Sequence, residues 1–148
     1  MSLSLGMTRI PQILLAALML LWATATLGRE NSQLIGKWKM QSSSVQFPDS
    51  CQSMTFQFLA DGTYIGDDGS MVMTMKYEMA ETGGGLVLSF SPPISDNAHA
   101  NCQGLSPQFV RQHPLRKSLV RFDDSTELMH FYFGPTEQSP YLVLMRQE

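Results

Sequence analysis

The stretch Met71-Val72-Met73-Thr74-Met75-Lys76-Tyr77-Glu78-Met79-Ala80 decides the fold. Met71, Met73, Met75, Tyr77 and Met79 occupy one phase of a two-residue repeat, and Thr74, Lys76 and Glu78 occupy the other. Side chains on a strand point alternately to opposite faces. The stretch therefore predicts a long antiparallel strand with an apolar face on a core and a polar face in water.

The same repeat extends in both directions. Upstream, Met54, Phe56 and Phe58 alternate with Thr55 and Gln57; downstream, Leu86, Leu88 and Phe90 form a stripe, and Val120 and Phe122 flank Arg121. Leu128–Phe133 and Tyr141–Met145 are nearly continuous apolar runs rich in strand formers. Between them stand Asp61-Gly62, Asp68-Gly69, Gly83-Gly84-Gly85, Asp123-Asp124-Ser125 and Gly134-Pro135, residues that favour tight turns. Eight strands follow, at 35–41, 52–59, 62–66, 70–80, 85–91, 116–122, 126–133 and 140–147. Short connections make sequential neighbours pair, and eight such strands are expected to close into an all-β, antiparallel up-and-down barrel without free edges. Only Asn31–Leu34 reads as a helical turn. Residues 92–115, with four prolines and no alternation, read as one long loop without a helix.

The N-terminus has a different character. Arg9 precedes the apolar run Ile13–Trp22 and the small-residue site Ala23-Thr24-Ala25. This order predicts a secretory signal peptide over residues 1–25, cleaved after Ala25 or secondarily after Gly28. The apolar run is half the roughly 20 residues a membrane span needs, so no membrane is expected in the mature form. The barrel domain is then 26–148, in the periplasm or outside the cell. Two cysteines in an oxidising compartment most simply form one bond, Cys51 to Cys102. The chain has 10 Lys and Arg against 13 Asp and Glu. A weakly acidic surface argues against nucleic acid as a partner.

Three segments carry a family resemblance. Leu34-Ile35-Gly36-Lys37-Trp38 resembles the G-x-W opening of lipocalins and bacterial lipocalin-like domains. Phe58-Leu59-Ala60-Asp61-Gly62-Thr63-Tyr64 is similar to their D-G-T hairpin, and Leu142–Arg146 to their last strand. The resemblance implies that Trp38 closes one end of the barrel with Arg146 lying across it, a cation–π contact of about 2 kcal/mol when desolvated. It also implies a ligand in the barrel mouth. The chain is shorter than animal lipocalins and lacks their helix near the last strand, and a short barrel can be filled by its own side chains.

No residue set here reads as a catalytic site, and no cofactor is implied. His99, His113 and His130 lack any i, i+2 or i, i+4 pairing, no G-x-S-x-G occurs, and the paired Asp residues sit in turn signals. The Met stripe supports three readings. It is core filler, a plastic wall for a small apolar ligand, or a copper(I) site made from the thioethers of an M-x-M repeat. The candidate lining is Phe56, Phe58, Met71, Met73, Met75 and Tyr77. The expected function is therefore non-enzymatic binding of a small hydrophobic ligand within the barrel. The alternative is a protein-binding module acting through 92–115 or the tail Thr26–Gln33, similar to periplasmic inhibitors of secreted metalloproteases. Interior volume separates the two, because a carrier needs a cavity above about 300 Å³.

Overall fold

The computed structural model describes residues 32–114, 117–134 and 136–148. The signal peptide expected at 1–25 and most of the expected tail lie outside the described residues. Nine strands form one sheet: β1 (Gly36–Ser43), β2 (Thr55–Phe58), β3 (Thr63–Asp67), β4 (Val72–Thr82), β5 (Gly85–Phe90), β6 (Ser95–Asp96), β7 (Lys117–Phe122), β8 (Leu128–Tyr132) and β9 (Leu142–Gln147). All pairings are antiparallel. Eight strands close the ring in the order β1, β2, β3, β4, β5, β7, β8, β9 and back to β1. This is the up-and-down barrel that the alternation predicts.

The segment 92–115 is not the plain loop expected. It contains the two-residue β6 and a short helix, α1 (Pro107–Gln112). β6 extends the edge of β4 beyond the end of β5, where Ile94 and Asn97 donate their amides to the carbonyls of Thr74 and Val72. α1 starts on an ordinary capping signal, with Ser106 Oγ accepting from the Phe109 amide and Pro107 preset for the first turn. A reading based on two-residue alternation passes over both, because neither repeats. The long strand also starts two residues later than expected. Asp68 Oδ1 accepts from the amides of Ser70 and Met71, so these two belong to the β3–β4 turn.

The stripe faces inward as expected. Met75 and Tyr77 are buried while Val72, Lys76 and Glu78 are exposed. With Trp38, Phe58, Tyr64, Leu86, Leu88, Phe90, Val120, Met129, Phe131, Leu142 and Leu144 they form the core. Rings link across it: Phe58 lies 5.1 Å from Tyr64 and 5.3 Å from Tyr77, and Tyr64 lies 5.2 Å from Phe90, centre to centre. Offset and edge-on pairs at these separations add attraction beyond the area they bury.

The ends of the barrel differ. At one end the chain enters through a helical turn over residues 32–34, and Trp38 Nε1 donates to the Leu34 carbonyl at 3.0 Å. Arg146 lies over the Trp38 ring and donates to the carbonyls of Ile35 and Gln33. Gly36 is the residue that permits this closure. Its φ is +138°, and a Cβ there would stand 2.9 Å from Arg146 Nη1. The G-x-W motif thus has two causes, a backbone angle that L side chains rarely adopt and the space for a guanidinium. The other end, the mouth, carries the 44–54, 68–71 and 91–114 connections and the one from β8 to β9, and Phe47 and Tyr141 pack against the core from it.

Candidate functional site

A strap formed by residues 92–114 crosses the edge of the mouth and is tied down along its length. Cys51 and Cys102 are bonded, with Cα atoms 5.1 Å apart, which joins the strap to the β1–β2 connection as the cysteine count predicts. The Cys102 amide donates to Asp68 Oδ2 at 3.0 Å, and Ser50 Oγ donates to the Cys102 carbonyl at 2.9 Å. Asn97 Nδ2 donates to the Ser70 carbonyl at 3.0 Å. Arg111, on α1, donates from Nε to Asp96 Oδ2 at 3.0 Å and forms an ion pair there. The Ala98 amide and this guanidinium hold the Asp96 carboxyl below the ordinary carboxylate range, against a weaker opposing effect of burial.

At the mouth lies a cleft of about 130 Å³, lined by Met54, Phe56, Tyr64, Gly66, Asp67, Asp68, Met71 and Met73. Strand register explains its shape. Phe56, Gly66 and Met73 are neighbours across β2, β3 and β4, and Phe58, Tyr64 and Met75 form the next row inward. The deeper row is packed: Phe58, Tyr64 and Met75 are all buried. In the outer row Gly66 contributes no side chain, and the Tyr64 ring extends over it. A Cβ on Gly66 would meet Tyr64 Oη at 2.9 Å. The cleft floor is therefore the tip of Tyr64, and its walls are Phe56 and three methionines.

The polar groups around the cleft fall into two kinds. Asp67 Oδ1 accepts from the Gly69 amide, and both oxygens of Asp68 are engaged by backbone amides, so these carboxylates build the rim turn. Tyr64 is different. It is only 6 % exposed, and among the described residues no hydrogen bond uses its hydroxyl. Burial pushes the Tyr64 phenol well above its ordinary titration range, so it remains a neutral hydroxyl.

The expected lining residues divide accordingly. Phe56, Met71 and Met73 come together at the cleft; Phe58 and Met75 lie beneath it in the packed row. Tyr77 is deeper still, donating its hydroxyl to the Leu59 carbonyl at 2.8 Å. It also borders a depression of about 250 Å³ where β5 leaves β4, together with Lys76, Glu78, Ser89, Phe90 and Ser91. That depression is larger but is edged by outward-facing polar side chains, and no buried unpaired group points into it. Trp38 is the cross-strand partner of Phe56, but its ring is covered by Arg146, and neither residue lines the cleft or the depression. Met54, Tyr64 and Gly66 complete the cleft and are not apparent as site residues in the sequence. The available signal is a Gly two residues after an inward aromatic on one strand, which marks a close approach.

Among the described residues no three His, Cys, Asp or Glu side chains gather into a metal-binding group. His113 Nδ1 lies 2.9 Å from the Phe109 carbonyl, and its ring stacks on Phe109. No helix among the described residues is long and apolar enough to cross a membrane. At a significant level of similarity the chain matches no known protein family, no curated protein and no solved structure.

Proposed function

We propose that the chain is an exported, non-enzymatic binding barrel of lipocalin-like kind that takes the apolar end of a small ligand into its mouth cleft. The observation that carries this reading is the convergence of Met54, Phe56, Met71 and Met73 on one cleft above a packed core. Flexible thioethers adapt to the shape of an apolar guest, and binding sites of this kind combine apolar walls with few polar groups. The cleft is well below the roughly 300 Å³ of a whole-ligand carrier, so the guest enters by one ring or a short chain and the remainder stays outside. The export segment at 1–25 and the Cys51–Cys102 bond support a location in the periplasm or outside the cell.

The test is a titration with toluene, followed through ¹³C-labelled methionine methyls. Signals of Met54, Met71 and Met73 are expected to move together and those of Met129 to stay put. Uniform absence of shifts at millimolar toluene refutes the reading. The exchange of Met71 and Met73 for Leu separates it from copper(I) ligation. Toluene binding changes modestly in the double variant, whereas a copper(I) affinity built on those thioethers disappears.

A second reading, contact with a protein, draws on the strap. Ile94, Leu105 and Phe109 stand exposed on it beside the mouth. The same cleft then receives an apolar side chain of the partner, and deletion of these three side chains weakens the association while leaving toluene binding intact.

A further inference from the structure

The Tyr64 hydroxyl is the one polar group aimed into the cleft without a partner among the described residues, and it is placed there by construction. Tyr64 is fixed between Phe58, Phe90 and Phe56, at ring separations of 5.1, 5.2 and 6.4 Å. Its tip passes over Gly66, where the missing side chain leaves room for it. Three rings hold the phenol in place, and its hydroxyl is left to donate to whatever occupies the cleft. The ring provides a donor in a fixed position, which is how a mostly apolar site obtains selectivity.

The surroundings define what the donor can meet. Walls of Met54, Phe56, Met71 and Met73 favour an apolar guest, and no Lys, Arg or His lines the cleft to welcome an anion. Asp67 and Asp68 stand at the rim and repel one. The phenol stays protonated across the physiological range, so it can donate. Resting on the cleft reading above, we propose that the site selects a neutral apolar group bearing a carbonyl oxygen, which accepts a hydrogen bond from Tyr64 Oη. Aryl and alkyl ketones, aldehydes and esters are the ligand class.

The experiment compares toluene with acetophenone, guests that share a ring and differ by the carbonyl. Wild-type protein is expected to bind acetophenone at least ten-fold more tightly, beyond the difference in their partition from water into octanol. The ¹³Cζ signal of Tyr64 should move with acetophenone and not with toluene. In Tyr64→Phe, which keeps the ring, the corrected preference for acetophenone over toluene should fall to about one. Equal corrected affinities in wild type overturn the proposal and leave the cleft reading standing. Failure of both guests to bind overturns the cleft reading, and this one with it. The wild-type comparison and the Tyr64 signal need no variant, so a Tyr64→Phe protein that folds poorly does not remove the test.

Discussion

The guanidinium of Arg146 lies 4.3 Å from the centre of the Trp38 indole, directly across the β1–β9 pairing, where the two residues are cross-strand partners. Both ends of this contact are also hydrogen-bonded to the entering chain. Trp38 Nε1 donates to Leu34, and Arg146 donates to Ile35 and Gln33. One stack thus binds the first strand, the last strand and the segment before them.

Trp38 is fully buried, and its loss leaves a large cavity in addition to an unmatched guanidinium. Trp38→Ala is expected to destabilise the barrel by about 3–5 kcal/mol, as for other large buried aromatics. Urea unfolding reads this as a lower midpoint at an unchanged slope. A midpoint equal to wild type would show that the indole does not close the barrel. Gly36→Ala should also be costly, by about 1–3 kcal/mol for the backbone angle alone, with a further displacement of Arg146.

Ser118 offers a change of the opposite sign. It is completely buried on β7, and its hydroxyl has no hydrogen-bond partner among the described residues. An unsatisfied buried hydroxyl costs about 1–3 kcal/mol. Ser118→Ala removes the group without adding volume, so stability should rise by about 1 kcal/mol. A loss of stability in thermal or urea unfolding would mean that the hydroxyl finds a partner in solution.

The Cys51–Cys102 bond spans 51 residues of sequence. The chain-entropy treatment gives about 4 kcal/mol for a loop of that length, an upper figure for a bond whose reduced chain retains some order. Cys51→Ser with Cys102→Ser is expected to lower the unfolding midpoint and to raise amide exchange at 95–112 most of all. Mass analysis of the wild type under non-reducing conditions should show a chain two hydrogens lighter than the reduced form. Two alkylatable thiols in the native protein would refute the pairing.

Acid should loosen the strap before it unfolds the barrel. The Asp96 carboxyl is held below its ordinary value by the Ala98 amide and the Arg111 pair. A depressed carboxylate contributes stability above its unfolded value of about 3.9, and that contribution is lost as pH falls through the lower folded value. Amides of α1 should therefore exchange faster below about pH 4 while those of β7 and β8 remain protected. Asp96→Asn should show the fast exchange already at neutral pH and no further acid step. An identical acid profile in both proteins would exclude Asp96 as the group responsible.

The ring of strands is legible in the sequence because each has one face in the core, and burial writes a two-residue repeat into every one of them. The Trp38 and Arg146 contact is legible through motif likeness. The details of the strap are not. α1 is six residues long, too short for a helical repeat to build up, and its signal is the cap at Ser106 and Pro107. The cleft is half legible for a physical reason. Phe56, Phe58, Met73 and Met75 all lie on inward stripes, and sequence treats them alike. Which of them reaches the mouth depends on the pairing that sets Phe56 beside Gly66 and Met73, and Phe58 beside Tyr64 and Met75. That register comes from turn geometry and from the missing side chain at Gly66, neither of which a single strand's pattern records.

Nearly every pairing in the ring joins strands adjacent in the chain, so hairpins can form early and locally. The exceptions are β5 with β7, which the strap separates, and the seam between β1 and β9, where Arg146 reaches Ile35 across 111 residues. Closing that distance carries the largest loop-closure entropy in the fold. Until the last strand arrives, β1 presents an open row of backbone donors and acceptors, the kind of edge that pairs with other chains. The final residues of the sequence therefore govern kinetics as much as stability. A chain that emerges N-terminus first stays vulnerable to edge-to-edge association until Leu142–Gln147 is free to pair, and a truncation of only those residues should convert a folding protein into an aggregating one.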